Sequence, residues 1–276
     1  MQTKIDAAVA LLDRADVEHS SAGVWSLFSG GDDSLACVVV ASQSKGFRGC
    51  VHLDTGTGIP ETRQFVEETC RRQGWPLKVY TAKACGQNYD DLAIAYGFPG
   101  PAMHYKMYSR LKERPLRVFI REHKRHLHDR LVLATGARSQ ESTRRMGHVQ
   151  PCRQEGVKVW ANPLHDWSKH DCHVVIEAAG TPRNPVVELL HMSGECLCGA
   201  FAAPGELKEI GLWFPRVAAR IHRLERRVAR AGQTACIWGV RPPASKRHSI
   251  KLRDSAGRIS ELCRRCELKD GDVESR

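Results

Sequence analysis

The chain has 276 residues, 42% hydrophobic and 26% charged, a globular balance that excludes disordered, collagenous and coiled-coil classes. Lysine plus arginine outnumber the acids 42 to 31, and the net charge of +11 favours phosphate-rich partners, either nucleotides or nucleic acid. No apolar run reaches membrane-spanning length, so no membrane partner is expected.

Met1 to Val17 carries acids and lacks the basic, apolar and small-residue succession of a signal peptide, so a cytoplasmic location is expected. Within it, Ile5, Ala8, Val9 and Leu12 fall at helical spacing. Val24 to Phe28 then reads as a strand, Ser29-Gly30-Gly31 as a turn and Asp33 to Ser44 as an apolar helix. A second unit repeats the order, with a strand from Cys50 to Leu53, a loop from Asp54 to Pro60 and a helix from Glu61 to Gln73. Leu77 to Tyr80 makes a third strand.

The stretch from Tyr105 to His126 reads as helical and basic, and the span His104 to Arg130 holds nine Lys/Arg against three acids. Leu131 to Thr135 is another buried strand with a loop from Gly136 to Arg145, and Lys158 to Ala161 is the last strand. Ser168 and Asp171 form an N-cap signature for a helix to about Ala179. Arg216 to Arg230 is a helix with Val217, Ile221, Leu224 and Val228 on one face and arginines around the rest. Each basic run is either a solvated face or a binding face.

Strands alternating with helices imply a doubly wound parallel α/β sheet, whose ligands bind at the carboxyl ends of the strands. The expected division is an α/β domain over residues 1–180 and a basic, helical, cysteine-rich module over residues 181–276. Eleven cysteines without a secretory signal argue against a disulfide framework. Cys37, Cys50, Cys70, Cys85, Cys152 and Cys172 stand singly and read as small buried hydrophobes.

The later cysteines are paired. Cys196-Leu197-Cys198 and Cys263-Arg264-Arg265-Cys266 can bring four thiolates to one point, which suits zinc or an iron-sulfur cluster. Cys236 is a substitute ligand, and His191 becomes one only if a cysteine drops out.

The strongest local signal is Ser29-Gly30-Gly31-Asp32-Asp33-Ser34, between a strand and a helix. Glycines there admit close backbone approach, free N–H groups at the helix start make a nest for phosphate oxygens, and Ser29 and Ser34 add hydroxyls. Asp54 ends the second strand, where a carboxylate can accept a ribose hydroxyl or hold Mg²⁺. Arg138, Arg144 and Arg145 leave another strand end beside Gly136, where guanidinium forks can grip phosphate or sulfate. Glu141 is a partner that orients these arginines, and Asp33 is either a helix-capping acid or a catalytic one.

The loop resembles the pyrophosphate-binding loop (PP-loop) of the adenine nucleotide α-hydrolase superfamily, Ser-Gly-Gly-x-Asp-Ser. The residue x is often Lys there and is Asp32 here. Three further segments in order resemble the phosphoadenosine phosphosulfate (PAPS) reductase family. These are Leu53-Asp54-Thr55-Gly56 with Ile59 to Thr62, Thr135 to Arg138 with Glu141, Ser142 and Arg144, and Asn162-Pro163-Leu164 with Asp166-Trp167. The resemblance covers Val24 to Gly199.

It implies an adenine nucleotide, ATP or PAPS, held with Mg²⁺ by Ser29, Gly30, Gly31, Asp32, Asp33, Ser34, Asp54, Thr55, Gly56, Gly136, Arg138, Glu141, Arg144 and Arg145. Asp33, Arg138 and Arg144 are then the catalytic candidates. The segment His191 to Cys198 resembles cluster-bearing relatives, including sulfur-transfer enzymes of DNA phosphorothioation. That likeness implies a 4Fe-4S cluster, with Zn²⁺ as the alternative, on Cys196, Cys198, Cys263 and Cys266. Adjacent cysteines and a C-terminal Glu-Cys-Gly-Leu-His nucleophile are absent.

Three functions are therefore open. One is ATP-dependent activation with pyrophosphate release, coupled to sulfur transfer onto nucleic acid (DNA or tRNA) or a small molecule, with a sulfur or electron donor protein. The second is reduction of a sulfonucleotide to sulfite. The third, of a different class, is a zinc-containing nucleic-acid-binding module with a vestigial nucleotide site.

Overall fold

The computed structural model describes residues 1–124, 126, 128–141 and 149–240. The amino-terminal half runs α1 (Gln2–Glu18), β1 (Ser21–Leu27), α2 (Asp32–Ala41), β2 (Phe47–Asp54), α3 (Pro60–Gln73), β3 (Leu77–Thr81) and α4 (Tyr89–Tyr96). It continues through a 3-10 turn at Pro101–Met103, α5 (His104–Tyr108), a π-helical turn at Ser109–Glu113 and α6 (Arg114–His123). Then follow β4 (Arg130–Ala134), β5 (Cys152–Glu155), β6 (Lys158–Ala161), α7 (Lys169–Ala178), α8 (Pro185–Leu190), α9 (Glu206–Trp213) and α10 (Pro215–Arg230).

The six strands form one sheet in the order β3-β2-β1-β4-β6-β5, and every neighbouring pair but β5 with β6 is parallel. Chain order reverses between β1 and β4, so the sheet has a switch point there. The other five strands are parallel as expected, and the antiparallel β5 is an edge strand not among the expected ones. Its residues Cys-Arg-Gln-Glu show no apolar alternation, and it is held by a hairpin register of Cys152 on Ala161 through Glu155 on Lys158.

Alternation along the inner strands builds two cores. Val24, Val132 and Ala134 face α1, α2 and α7, while Trp25, Leu27, Leu131 and Leu133 face Leu116, Phe119 and Ile120 of α6. All ten residues of α2 are buried, because the helix lies under the sheet with α1 and α7 packed over it. Each buried Val or Leu there contributes about 1.5–3 kcal/mol.

A third core lies beyond this sandwich. Ile59, Ala82, Tyr89, Leu92, Met107 and Leu111 pack with Val186, Leu190, Leu197, Ile210, Val217, Ile221, Leu224 and Trp238. Residues on both sides of Gly180 thus share one apolar interior, and α8, α9 and α10 rest on α3, α4 and the turns before α6. Among the described residues no helix is long and apolar enough to cross a membrane.

Candidate functional site

The loop after β1 turns sharply because Gly30 takes φ +82 and Gly31, at the N-cap of α2, is extended. Gly31 offers no capping side chain to the first turn of α2. Ser34 folds back to donate to Gly31 O at 2.8 Å, and Ser29 donates to Ser34 Oγ at 3.1 Å. From a distant part of the chain, Asn184 Nδ2 donates to Gly30 O at 2.9 Å.

The loop after β4 presses on the same helix start. A Cβ on Gly136 would meet Asp33 O at 2.4 Å and Ser34 N at 2.8 Å, so only glycine permits this approach. Two residues on, Arg138 is buried, with Nη2 donating to Asp33 Oδ2 at 3.4 Å and Nη1 to Trp167 O at 3.3 Å. Expected site residues from two loops far apart in sequence therefore converge. Glu141 closes the short turn Ser139–Glu141, and Arg144 and Arg145 lie outside the described residues.

Asp32 and Asp33 carry the charge of the site. Their side chains are 1% and 5% exposed, a costly position for ions unless each is paired. Asp32 accepts from Arg183 Nη2 at 2.8 Å and Nε at 3.2 Å and from His173 Nε2 at 3.0 Å, with Lys169 Nζ at 3.2 Å. Asp33 accepts from Lys169 Nζ at 3.0 Å. Burial pushes the Asp32 carboxyl up, but the Arg183 hydrogen bonds, with the Lys169 and Arg183 charges and the His173 hydrogen bond, outweigh it and hold it below the usual range. Arg183 is held correspondingly above its own, chiefly by its hydrogen bonds to Asp32.

Sequence reasoning missed Lys169, His173 and Arg183. Their only sequence signal was proximity to the Ser168 cap and to the Asn184-Pro185 pair, since Asp32 is more than a hundred residues away.

The second loop, after β2, is built differently. Asp54 accepts from Gly56 N at 2.8 Å and Arg63 Nη1 at 2.9 Å. Thr55 is buried and donates to Glu195 O at 3.1 Å, while Leu197 N donates to Thr57 Oγ1 at 2.9 Å and Thr57 Oγ1 to Cys196 Sγ at 3.8 Å. Ile59 N donates to Gly194 O at 2.8 Å, and Thr62 Oγ1 to Ser193 O at 2.5 Å. Arg220 of α10 adds bonds to the carbonyls of Gly56, at 3.0 Å, and Thr57. Burial lowers the Arg220 guanidinium from its usual value.

Cys196 and Cys198 thus sit against the β2 loop, and both line a small cavity with His104, Met107, Tyr108, Leu111 and Lys112. Lys112 Nζ lies 2.7 Å from Glu195 Oε2, both side chains under one-tenth exposed, and Glu195 Oε1 has no hydrogen-bond partner among the described residues. This ion pair was hidden in a basic run that reads as surface.

Of the four expected metal ligands, Cys263 and Cys266 lie outside the described residues. Among the described residues no group of three or more His, Cys, Asp or Glu is placed to hold a metal ion. His191 caps α8 in a left-handed conformation, φ 54, and Cys236 is partly buried on the third core. Burial pushes the Cys37 and Cys172 thiols up to about 12, as befits inert core cysteines.

The reversed strand order puts the glycine-rich loop after β1 and Arg138 together at the switch point of an α/β sheet, where ligands of such folds bind. A family model described as the phosphoadenosine phosphosulfate reductase domain matches residues 23–193, and the chain belongs to that family. Among solved structures it is similar to the phosphoadenylyl-sulfate (PAPS) reductase of Candida auris in its phosphate complex. The identity is 17% and the TM-score 0.50, with 66% of this chain and 84% of that chain covered, so the likeness is one of fold. No curated protein matches the chain.

Proposed function

We propose that the protein is an enzyme that binds an adenine nucleotide at Ser29–Ser34 and acts at its phosphates. The observation that carries this reading is the convergence of Gly136 and Arg138 on the uncapped start of α2, which puts donors and a buried guanidinium at one strand edge.

The reaction we favour is ATP-dependent activation. An acceptor oxygen attacks the α-phosphorus, pyrophosphate leaves, and sulfur from a donor then displaces AMP. Asp54 is suited to the ribose or to Mg²⁺, and Arg138, Arg144 and Arg145 to charge on the leaving group. Exposed arginines on α10, Arg216, Arg223, Arg226 and Arg230, support a nucleic-acid acceptor, DNA or tRNA. Cys196 and Cys198, with Cys263 and Cys266, are the residues that would hold a 4Fe-4S cluster or Zn²⁺. A 4Fe-4S cluster there would supply or stabilise sulfur or electrons, whereas Zn²⁺, which has no redox chemistry, would only hold the thiolates in place.

A second reading, reduction of PAPS to adenosine 3',5'-bisphosphate and sulfite by two electrons, draws support from the Thr57 bond to Cys196, which sets a thiol against the β2 loop. Anaerobic incubation with Mg²⁺, reductant and equal ATP and PAPS, followed by mass spectrometry, separates the two. AMP with pyrophosphate is the expected result; adenosine 3',5'-bisphosphate with sulfite selects the second reading, and no turnover of either overturns both. Iron, sulfide and zinc analysis of the purified protein decides the metal.

A further inference from the structure

The loop pattern that Ser29–Ser34 resembles often has a lysine at position 32, yet this chain places a carboxylate there and buries it. The surrounding residues reverse the consequence. Lys169 comes from the start of α7, His173 from its next turn and Arg183 from the approach to α8, and all three meet at Asp32. Lys169 also bridges to Asp33, which Arg138 reaches from the β4 loop.

Among the described residues two carboxylates face three permanent cations and a histidine, so this group is net positive. Exposure divides it further. The carboxylates and Arg138 are buried, whereas Lys169, His173 and Arg183 keep 37%, 38% and 35% of their side chains open. Buried acids holding partly open cations is the arrangement of a preorganised anion receptor, because ordering two long side chains is completed before a ligand arrives. The Arg183 fork spends Nε and Nη2 on Asp32, which fixes the plane of its guanidinium.

We propose that Lys169 and Arg183 grip the phosphate or phosphosulfate chain of the nucleotide, with the buried Asp32 as the positioning residue that aims them. This rests on the reading of Ser29–Ser34 as the nucleotide site. It moves the cation that the loop lacks onto two later segments of the chain.

The sign of one substitution separates positioning from mere charge. Asp32→Asn makes the group one unit more positive, so if its cations act only through their field, anion binding tightens. If Asp32 holds them in place, binding weakens.

The test is calorimetric titration of the full chain with ATP, with PAPS and with adenosine as the probe that lacks phosphate. Wild type is expected to bind ATP or PAPS more tightly than adenosine. Lys169→Gln and Arg183→Gln each weaken the phosphate-bearing ligands by about tenfold, with adenosine changed by less than about twofold. Asp32→Asn weakens them as well, and in that background Arg183→Gln costs less than in wild type. A general loss of structure would lower adenosine affinity too, so the ratio of ATP to adenosine affinity is the readout.

Tighter ATP and PAPS binding by Asp32→Asn, or unchanged binding by both Lys169→Gln and Arg183→Gln, overturns the proposal while leaving the nucleotide site standing. Wild type that prefers neither ATP nor PAPS to adenosine overturns the site itself. Should Asp32→Asn fail to fold by near-ultraviolet circular dichroism, the partly open Lys169 and Arg183 decide the matter alone.

Discussion

Two loops leave neighbouring strands at the same edge of the sheet, and they are held by opposite means. The β1 loop leads into buried carboxylates clasped by cations that reach solvent, with the β4 loop pressed against them. The β2 loop is stitched by threonine hydroxyls and peptide groups to Ser193–Leu197, backed by the enclosed pair Lys112–Glu195. Arg63 on Asp54 and Arg220 on the Gly56 and Thr57 carbonyls bring cations to the β2 loop as well, but only at the first loop do partly open cations gather on two buried carboxylates. The first loop gathers partly open cations around buried acids, and the second is tied chiefly to a later segment of the chain.

Four measurements probe that contrast. The largest effect belongs to the enclosed pair. Glu195→Ala removes the 2.7 Å carboxylate partner of the buried Lys112 ammonium and is expected to cost about 3–5 kcal/mol in urea denaturation. Replacing both partners by apolar residues recovers most of it, and a double variant as unstable as the single one shows that the loss does not come from breaking this ion pair.

Next, Thr57→Val removes the acceptor for Leu197 N and the donor to Cys196, at an expected cost of about 1–3 kcal/mol. That loss is the same in low and high salt, because no charge is involved. A cost that shrinks with salt would mean the two loops are held alike.

Gly136→Ala drives a methyl into the Asp33 carbonyl and moves the β4 loop off α2. Nucleotide affinity is expected to fall about tenfold, or about 1.4 kcal/mol. Equal affinity in calorimetry shows that the approach is not used in binding.

The smallest effect tests the platform of the first loop. Asp171 completes a capping box with Ser168 and pairs with Lys4, which fixes the start of α7 where Lys169 sits. Its modest burial works upward, but the Lys4 and Ser168 bonds hold its carboxyl down to about 2, against an ordinary 3.8. A depressed carboxyl stabilises the fold above its unfolded value and loses that contribution as pH falls from about 4 to about 2. Asp171→Asn is therefore expected to cost about 1 kcal/mol at pH 7 and nothing once the pH drops below about 2. A pH-independent difference in thermal melting would refute the electrostatic origin.

The same contrast explains what sequence could and could not convey. Alternation and helical spacing placed β1, α2, β2, α3, β3, β4, β6, α7 and α10 within a few residues, since each buries a periodic apolar face. The edge strand β5 is polar and owes its place to pairing alone, α4 opens on two acids, and Gly211 interrupts α9, so none shows a face of usable length.

Within the site, glycines and arginines beside strand ends carried a local signal. Lys169, His173 and Arg183 did not, because a cation that serves a buried acid looks in sequence like one that faces water. Lys112 is harder still: a π-helical turn carries it to an interior position inside a run of exposed bases. Cys263, Cys266, Arg144 and Arg145 lie outside the described residues, and their roles stay with the experiments above.

The stitches between Thr55 and Glu195 and between Thr57 and Leu197 span 140 residues each. During synthesis, β2 leaves the ribosome long before the segment that fixes the loop after it. The pairing of β1 with β2 and of β2 with β3 can form early, but the loop after β2 closes only when residues 193–197 arrive, so it is among the last parts of the chain to set. A nascent chain ending near Gly180 would carry Ser29–Ser34 without Arg183 on Asp32 and without the backing of the neighbouring loop.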